Sequence, residues 1–155
     1  MPSQLAETDF RSLAEFRYRI RLFLAESEET ARAVGLEPEQ FQLLLAVRGM
    51  PHGNAATIQH LAARLLVKHN TVVERIDRLA RMGLLRRLHS HADHRVVIVE
   101  LSARGNRMVQ KLSRQRMREL KRGRPELIAA LTKVISGNAR KRQRKRRARG
   151  IATNA

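Results

Sequence analysis

Four consecutive residues, Lys68-His69-Asn70-Thr71, followed one helical turn later by Glu74 and Arg75, carry side chains suited to hydrogen-bonding base edges and phosphates. Asparagine can read adenine, arginine can read guanine or hold a phosphate, and glutamate can accept from a cytosine amino group or restrain the arginine beside it. A second cluster follows in the chain, where Arg86, Arg87, His89, His91, His94 and Arg95 surround a single acid, Asp93. An arginine on a thin loop suits a narrow minor groove, where the potential is most negative. Asp93, two residues before Arg95, can fix that arginine or bridge to the neck of the loop. The bland alternatives are a solvated helix face and a surface loop whose charges only confer solubility. The elements around the two clusters have to decide.

Those elements follow from hydrophobic periodicity. Apolar positions Phe10, Leu13, Ala14, Phe16, Ile20, Phe23 and Leu24 predict a helix from Phe10 to about Val34, closed by Gly35. Its apolar stripe is wide enough to pack on two sides, once on its own domain and once on a partner. Pro38 suits the first turn of a second helix with Phe41, Leu44, Leu45 and Val47 inside, broken by Met50-Pro51-His52-Gly53-Asn54. Thr57 is an N-cap for a third helix with Ile58, Leu61, Ala62 and Leu65 inward. A fourth helix spans about Lys68 to Met82, with Val72, Val73, Ile76, Leu79 and Ala80 inside and the polar cluster outside. Leu84–Leu88 and Val96–Leu101 read as strands of a hairpin whose loop holds the second cluster. Ser102 caps a fifth helix with Met108, Leu112 and Met117 or Leu120 inward, and Pro125 starts a sixth that ends near Ser136.

The composition narrows the chemistry. The 155 residues suffice for one ordinary core, and the net charge of +18 favours a polyanionic partner through counterion release. After Ala139 the run RKRQRKRRAR contributes eight of those charges, leaving +10 on the rest, and is expected to be disordered alone. Aromatics at 3% argue against stacking on single-stranded bases. The absence of cysteine excludes a disulfide frame, thiolate-bound zinc and a thiol redox sensor. His89, His91 and His94 tempt a metal assignment, yet zinc wants a fourth ligand on a rigid frame and only Asp93 is near, so no metal is expected. No phosphate loop, nucleophile elbow or converging carboxylate pair is found, so neither enzyme chemistry nor a cofactor is expected. No membrane span or signal peptide is read, and the expected location is cytoplasmic.

With these elements in place, Leu36 to Gly105 resembles the MarR family of bacterial winged-helix transcription regulators. Leu61-Ala62 with Leu65, Ile76-Asp77-Arg78-Leu79 with Gly83-Leu84, and Asp93-x-Arg95 followed by Leu101-Ser102-x-x-Gly105 carry the likeness. The resemblance implies a mostly α fold with a small β-hairpin wing: a winged helix-turn-helix over 36–102, helical dimerisation segments over 10–35 and 103–137, and a basic tail over 138–155. It further implies a homodimer on double-stranded DNA, a repressor in many members, often released by a small anionic or phenolic effector. The DNA-binding residues expected are Lys68, His69, Asn70, Thr71, Glu74, Arg75, Arg86, Arg87, His91, Asp93 and Arg95; Tyr18, Arg19 and His52 are weak effector candidates. Lys68 departs from the family's usual Ser or Asp cap. The competing expectation is a nucleoid-type or RNA-associated basic protein with little sequence preference.

Overall fold

The computed structural model describes residues 5–90, 93, 95–121 and 125–136. The basic tail, and His91 and His94 of the hairpin loop, lie outside the described residues. The elements run α1 (Glu7–Arg32), α2 (Pro38–Arg48), α3 (Ile58–Leu65), α4 (His69–Arg81), β1 (Leu85–His89), β2 (Val97–Leu101) and α5 (Ala103–Lys121). A sixth helix, α6, covers residues 125–136. Two compact units share the chain, one of Ser27–Arg118 and one built from the residues before and after it, with the boundaries inside α1 and α5.

The central unit is organised around Leu36, Leu43, Leu44, Leu61, Val72, Ile76, Leu79, Leu84, Val99, Val109 and Leu112, each almost fully buried. Three helix ends are closed in the same way. Gly35, Leu66 and Gly83 each take positive φ, of 78°, 56° and 70°. At each, the amide of that residue and of the next one reach back to helix carbonyls: Gly35 N to Arg32 O and Leu36 N to Ala31 O, Leu66 N to Ala63 O and Val67 N to Ala62 O, Gly83 N to Ala80 O and Leu84 N to Leu79 O. This pair of hydrogen bonds satisfies carbonyls that the helix leaves free and turns the following apolar residue into the core. Leu36 and Leu84 are buried there, and Val67 packs against the same core. Leu66 alone lacks the glycine this turn favours, and its side chain is 91% exposed.

The hairpin pairs β1 with β2 antiparallel, Leu85 opposite Leu101 and His89 opposite Val97. A third partner extends it, since Val99 N donates to Ala56 O at 2.9 Å and Thr57 bridges Ile98. Thr57 also caps α3 through His60 N, so one residue ends the strand stub and starts the helix.

The junction between α4, β1 and α5 is closely packed. Ser102 Oγ donates to Gly83 O at 2.7 Å and accepts from Gly105 N at 2.9 Å. Ser102 N donates to Leu84 O, and Arg104 Nη1 donates to Met82 O at 3.1 Å. Three successive carbonyls after α4 are thus held by the start of α5. The helix comes so close that a Cβ at Gly105 would strike the Leu84 carbonyl oxygen and lie 3.0 Å from its carbon. Both atoms belong to backbone and cannot swing aside.

Two inward faces differ from the sequence reading. In α2, Phe41, Leu43, Leu44 and Ala46 are buried while Leu45 is exposed, because apolar residues surround this helix and its contacts with α3, α4 and β2, not its pattern, choose the face. In α5 the buried line is Gly105, Val109, Leu112 and Arg116, whereas Met117 and Leu120 are exposed. The approach at Gly105 fixes the helix rotation, and the aliphatic stem of an arginine can lie along apolar surface. The strands begin one residue later than expected, at Leu85 and Val97.

In the other unit, α1 arginines are bridged to glutamates one turn earlier, Arg11 to Glu7 and Arg19 to Glu15. Apolar residues remain uncovered on both of its helices: Phe10, Leu13 and Leu24 on α1, and Ile128, Leu131 and Ile135 on α6, while Ala130 is buried.

Gly105→Ala is expected to lower unfolding free energy by about 1–3 kcal/mol, as overpacking does; an unchanged urea midpoint would contradict the close approach. Leu66→Gly should exceed Leu66→Ala in stability by about 1 kcal/mol, since only glycine relieves the left-handed strain. Equal stability of the two variants would show that no strain resides there.

Candidate nucleic-acid interface

Helix α4 presents its two faces sharply. Val72, Ile76 and Leu79 enter the core at helical spacing. On the other side Lys68, His69, Asn70, Glu74 and Arg78 are exposed or nearly so, and Thr71 and Arg75 are half-buried. Lys68 occupies the N-cap position in extended conformation and makes no side-chain capping bond. A lysine has no acceptor, so it cannot cover the first-turn amides as serine or aspartate would. The leading end of α4 therefore combines uncapped amides, the positive end of the helix dipole and a cation, an arrangement that favours a phosphate.

Strand parity separates the two hairpin arginines. Arg87 stands opposite Val99, which is buried, on the side that also carries Leu85. It consequently points to α4, where its Nη2 lies 2.7 Å from Asp77 Oδ1 and donates to Val73 O at 3.5 Å. Arg86 has the opposite parity and stands beside Glu100, 3.9 Å away and largely solvated. Sequence reasoning placed both among the DNA-contacting residues and missed the tie from Arg87 to Asp77. The alternation of side chains along β1 was the signal that could have found it. The tie fixes the hairpin against the helix whose leading end carries the polar cluster.

At the hairpin tip, Asp93 and Arg95 are exposed. Asp93 Oδ1 accepts from the backbone N of Arg95 at 2.9 Å, and Val96 N donates to Asp93 O. Asp93 thus folds the returning loop through the Arg95 amide. Among the described residues no group of histidines and acids is placed to hold a metal ion.

The effector candidates fall in the two separate units. Tyr18 and Arg19 neighbour each other on α1, the guanidinium 5.7 Å from the ring centroid. Arg19 Nε also donates to Glu15 at 2.6 Å, which raises its pKa and offsets its charge locally. His52 is exposed in the loop after α2, within the other unit. His60 plays a local part, with its Nδ1 lying 2.8 Å from Ala55 O beside the strand stub.

Two helices joined by a tight left-handed turn, then a hairpin braced on the second helix, define a winged helix-turn-helix protein. The sequence model of the MarR family matches residues 34–96, the stretch that holds the two helices and most of the hairpin. Solved structures agree on the fold over most of the length. AbsC, a MarR family transcriptional regulator from Streptomyces coelicolor, aligns with a TM-score of 0.69 at 18% identity, covering 91% of this chain and 98% of its own. A MarR family protein from Bacillus stearothermophilus gives 0.65 at 20% identity, covering 92% and 98%. A mutant MarR from E. coli, complexed with operator DNA, gives 0.60 at 21% identity, covering 78% and 88%. No curated protein matches the chain by sequence. No described helix is long and apolar enough to cross a membrane.

Asp77→Asn should loosen the brace at a stability cost below about 1 kcal/mol, as for an exposed pair. The measurement is backbone amide exchange in β1, which should quicken; exchange at the wild-type rate would show that the pair does not hold the hairpin.

Proposed function

We propose that the chain is a homodimeric, sequence-specific regulator of transcription that binds double-stranded DNA. The leading end of α4 enters the major groove, and the hairpin tip reaches the adjacent minor groove. The observation that carries this reading is the brace from Arg87 to Asp77, which fixes a cationic hairpin on the helix that exposes Lys68, His69 and Asn70. Asn70 and Arg75 read bases, Glu74 discriminates between them or restrains Arg75, and Lys68, His69, Thr71 and Arg86 hold phosphates. Arg95, with its backbone set by Asp93, enters the minor groove, and His91 contacts the same duplex. Arg87 contributes by positioning the hairpin.

Dimerisation rests on the apolar residues left uncovered on α1 and α6. A second copy would bury them, each large side chain stabilising by about 1.5–3 kcal/mol when fully covered. Two winged units then address two half-sites about one helical turn apart. Repression, and release by a small anionic or phenolic effector, complete the proposal by analogy with the family. Tyr18, Arg19 and His52 are its effector candidates.

Selection of bound sequences from random duplex DNA tests the reading. The expected result is a pseudo-palindromic site preferred over random DNA by about 10³-fold or more, with Asn70→Ala relaxing the preference at one position of each half-site. Binding without such preference would instead support a nucleoid-type protein held by phosphates alone. Leu131→Arg should lower both dimer content in sedimentation and affinity for the selected site; full affinity from a monomeric variant would contradict the dimer.

A further inference from the structure

Helix α5 carries a charge pattern that the interface above does not use. Arg104, Arg107, Lys111, Arg114 and Arg118 recur at intervals of three and four residues, all exposed, on the side opposite the buried line Gly105, Val109, Leu112 and Arg116. At 1.5 Å per residue this row extends for about 21 Å. None of the five pairs with a carboxylate among the described residues. Arg104 donates to Met82 O and Arg118 to Arg114 O, neutral acceptors that leave both charges uncompensated. Three of the five α1 arginines, Arg11, Arg19 and Arg32, each meet a glutamate one turn away. Five like charges along one helix face repel one another and weaken the helix unless an anion covers them.

The row starts away from the proposed operator face. Its first member touches the C-terminal end of α4, while Lys68 to Thr71 lie at the other end, about 18 Å away along the helix axis. The hairpin likewise joins α5 through Leu101, at the base of the wing, and its tip lies at the far end of both strands. Both DNA-facing ends therefore point away from the start of the row. Helix α5 contains no aromatic residue on which an unpaired base could stack, which favours a phosphate backbone over a single strand.

From these observations we infer that the α5 row is a second polyanion-binding surface, which grips the phosphate backbone of another duplex segment so that one protein bridges two stretches of DNA. This inference rests on the reading of α4 and the wing as the first DNA contact.

A capture assay with the full chain tests it. One mixed-sequence duplex of about 40 base pairs, roughly four helical turns, is tethered to beads, and a fluorescent second duplex of the same length is supplied with protein. Wild type should retain the second duplex. The triple variant Arg107→Gln, Lys111→Gln, Arg114→Gln should bind the tethered duplex within about 2-fold of wild type yet capture the second at least about 10-fold less. Its salt slope for capture should be shallower by roughly 0.9 for each phosphate no longer neutralised. The charge-keeping pair Arg107→Lys, Arg114→Lys should capture normally.

Capture unchanged in the triple variant would overturn the inference while leaving the operator face intact. So would an equal loss of first-duplex binding, or displacement of the second duplex by polyglutamate or single-stranded RNA more readily than by competing duplex. If wild type bound neither the tethered duplex nor any sequence selected from random duplex DNA, the proposed function itself would fail.

Discussion

The contact between Gly105 and the Leu84 carbonyl governs the winged unit. It brings the first turn of α5 onto the backbone that leaves α4, at a separation no side chain would permit. Ser102 then serves both elements at once, donating to Gly83 O and receiving the Gly105 amide. The end of α4, the root of the hairpin and the start of α5 are thereby fixed in one place. From that anchor the hairpin projects as a pair of short strands, steadied by the Ala56–Thr57 stub on one edge and by Arg87 on Asp77. The motif Leu-Ser-x-x-Gly has a physical meaning here: a hydroxyl that bonds in two directions, followed by the residue that lets a helix touch a carbonyl.

Much of this was legible in the sequence because the periods are strong. The core positions Val72, Ile76 and Leu79 of α4 repeat at helical spacing, and the caps Gly35, Thr57, Gly83 and Ser102 lie where the chain turns. Weak periods failed, as in α2, where Leu45 is no less apolar than Leu44 and only packing separates them. The strand stub at Ala56–Thr57 was illegible because it consists of one bridge and one bond, too short for any alternation. The left-handed turn at Leu66 was hidden for a different reason. Its residue type argues against the conformation that the neighbouring carbonyls require.

In the candidate interface, residue types indicated the chemistry and strand parity assigned the roles. Arg86 and Arg87 are chemically alike and adjacent, yet one meets solvent beside Glu100 and the other is tied to Asp77. Asp93 similarly acts on an amide, shaping the loop that presents Arg95. The same separation recurs on a larger scale in the distribution of positive charge. Carboxylates offset part of it on α1 and at the wing root, whereas the leading end of α4 and the outer row of α5 keep theirs. Among the described residues, the leading end of α4 and the outer row of α5 are two places where positive charge gathers without a carboxylate.

The central claim is that the leading end of α4 and the hairpin tip meet one duplex in neighbouring grooves. The chain has no cysteine, so Thr71→Cys and Arg95→Cys each provide a unique anchor for an iron chelate that cleaves nearby DNA. On the selected duplex, cleavage from position 71 should centre on the major groove, and cleavage from position 95 on the minor groove about 5 base pairs away, half a helical turn. Cleavage from the two positions at the same base pairs, or none from position 95, would contradict the account.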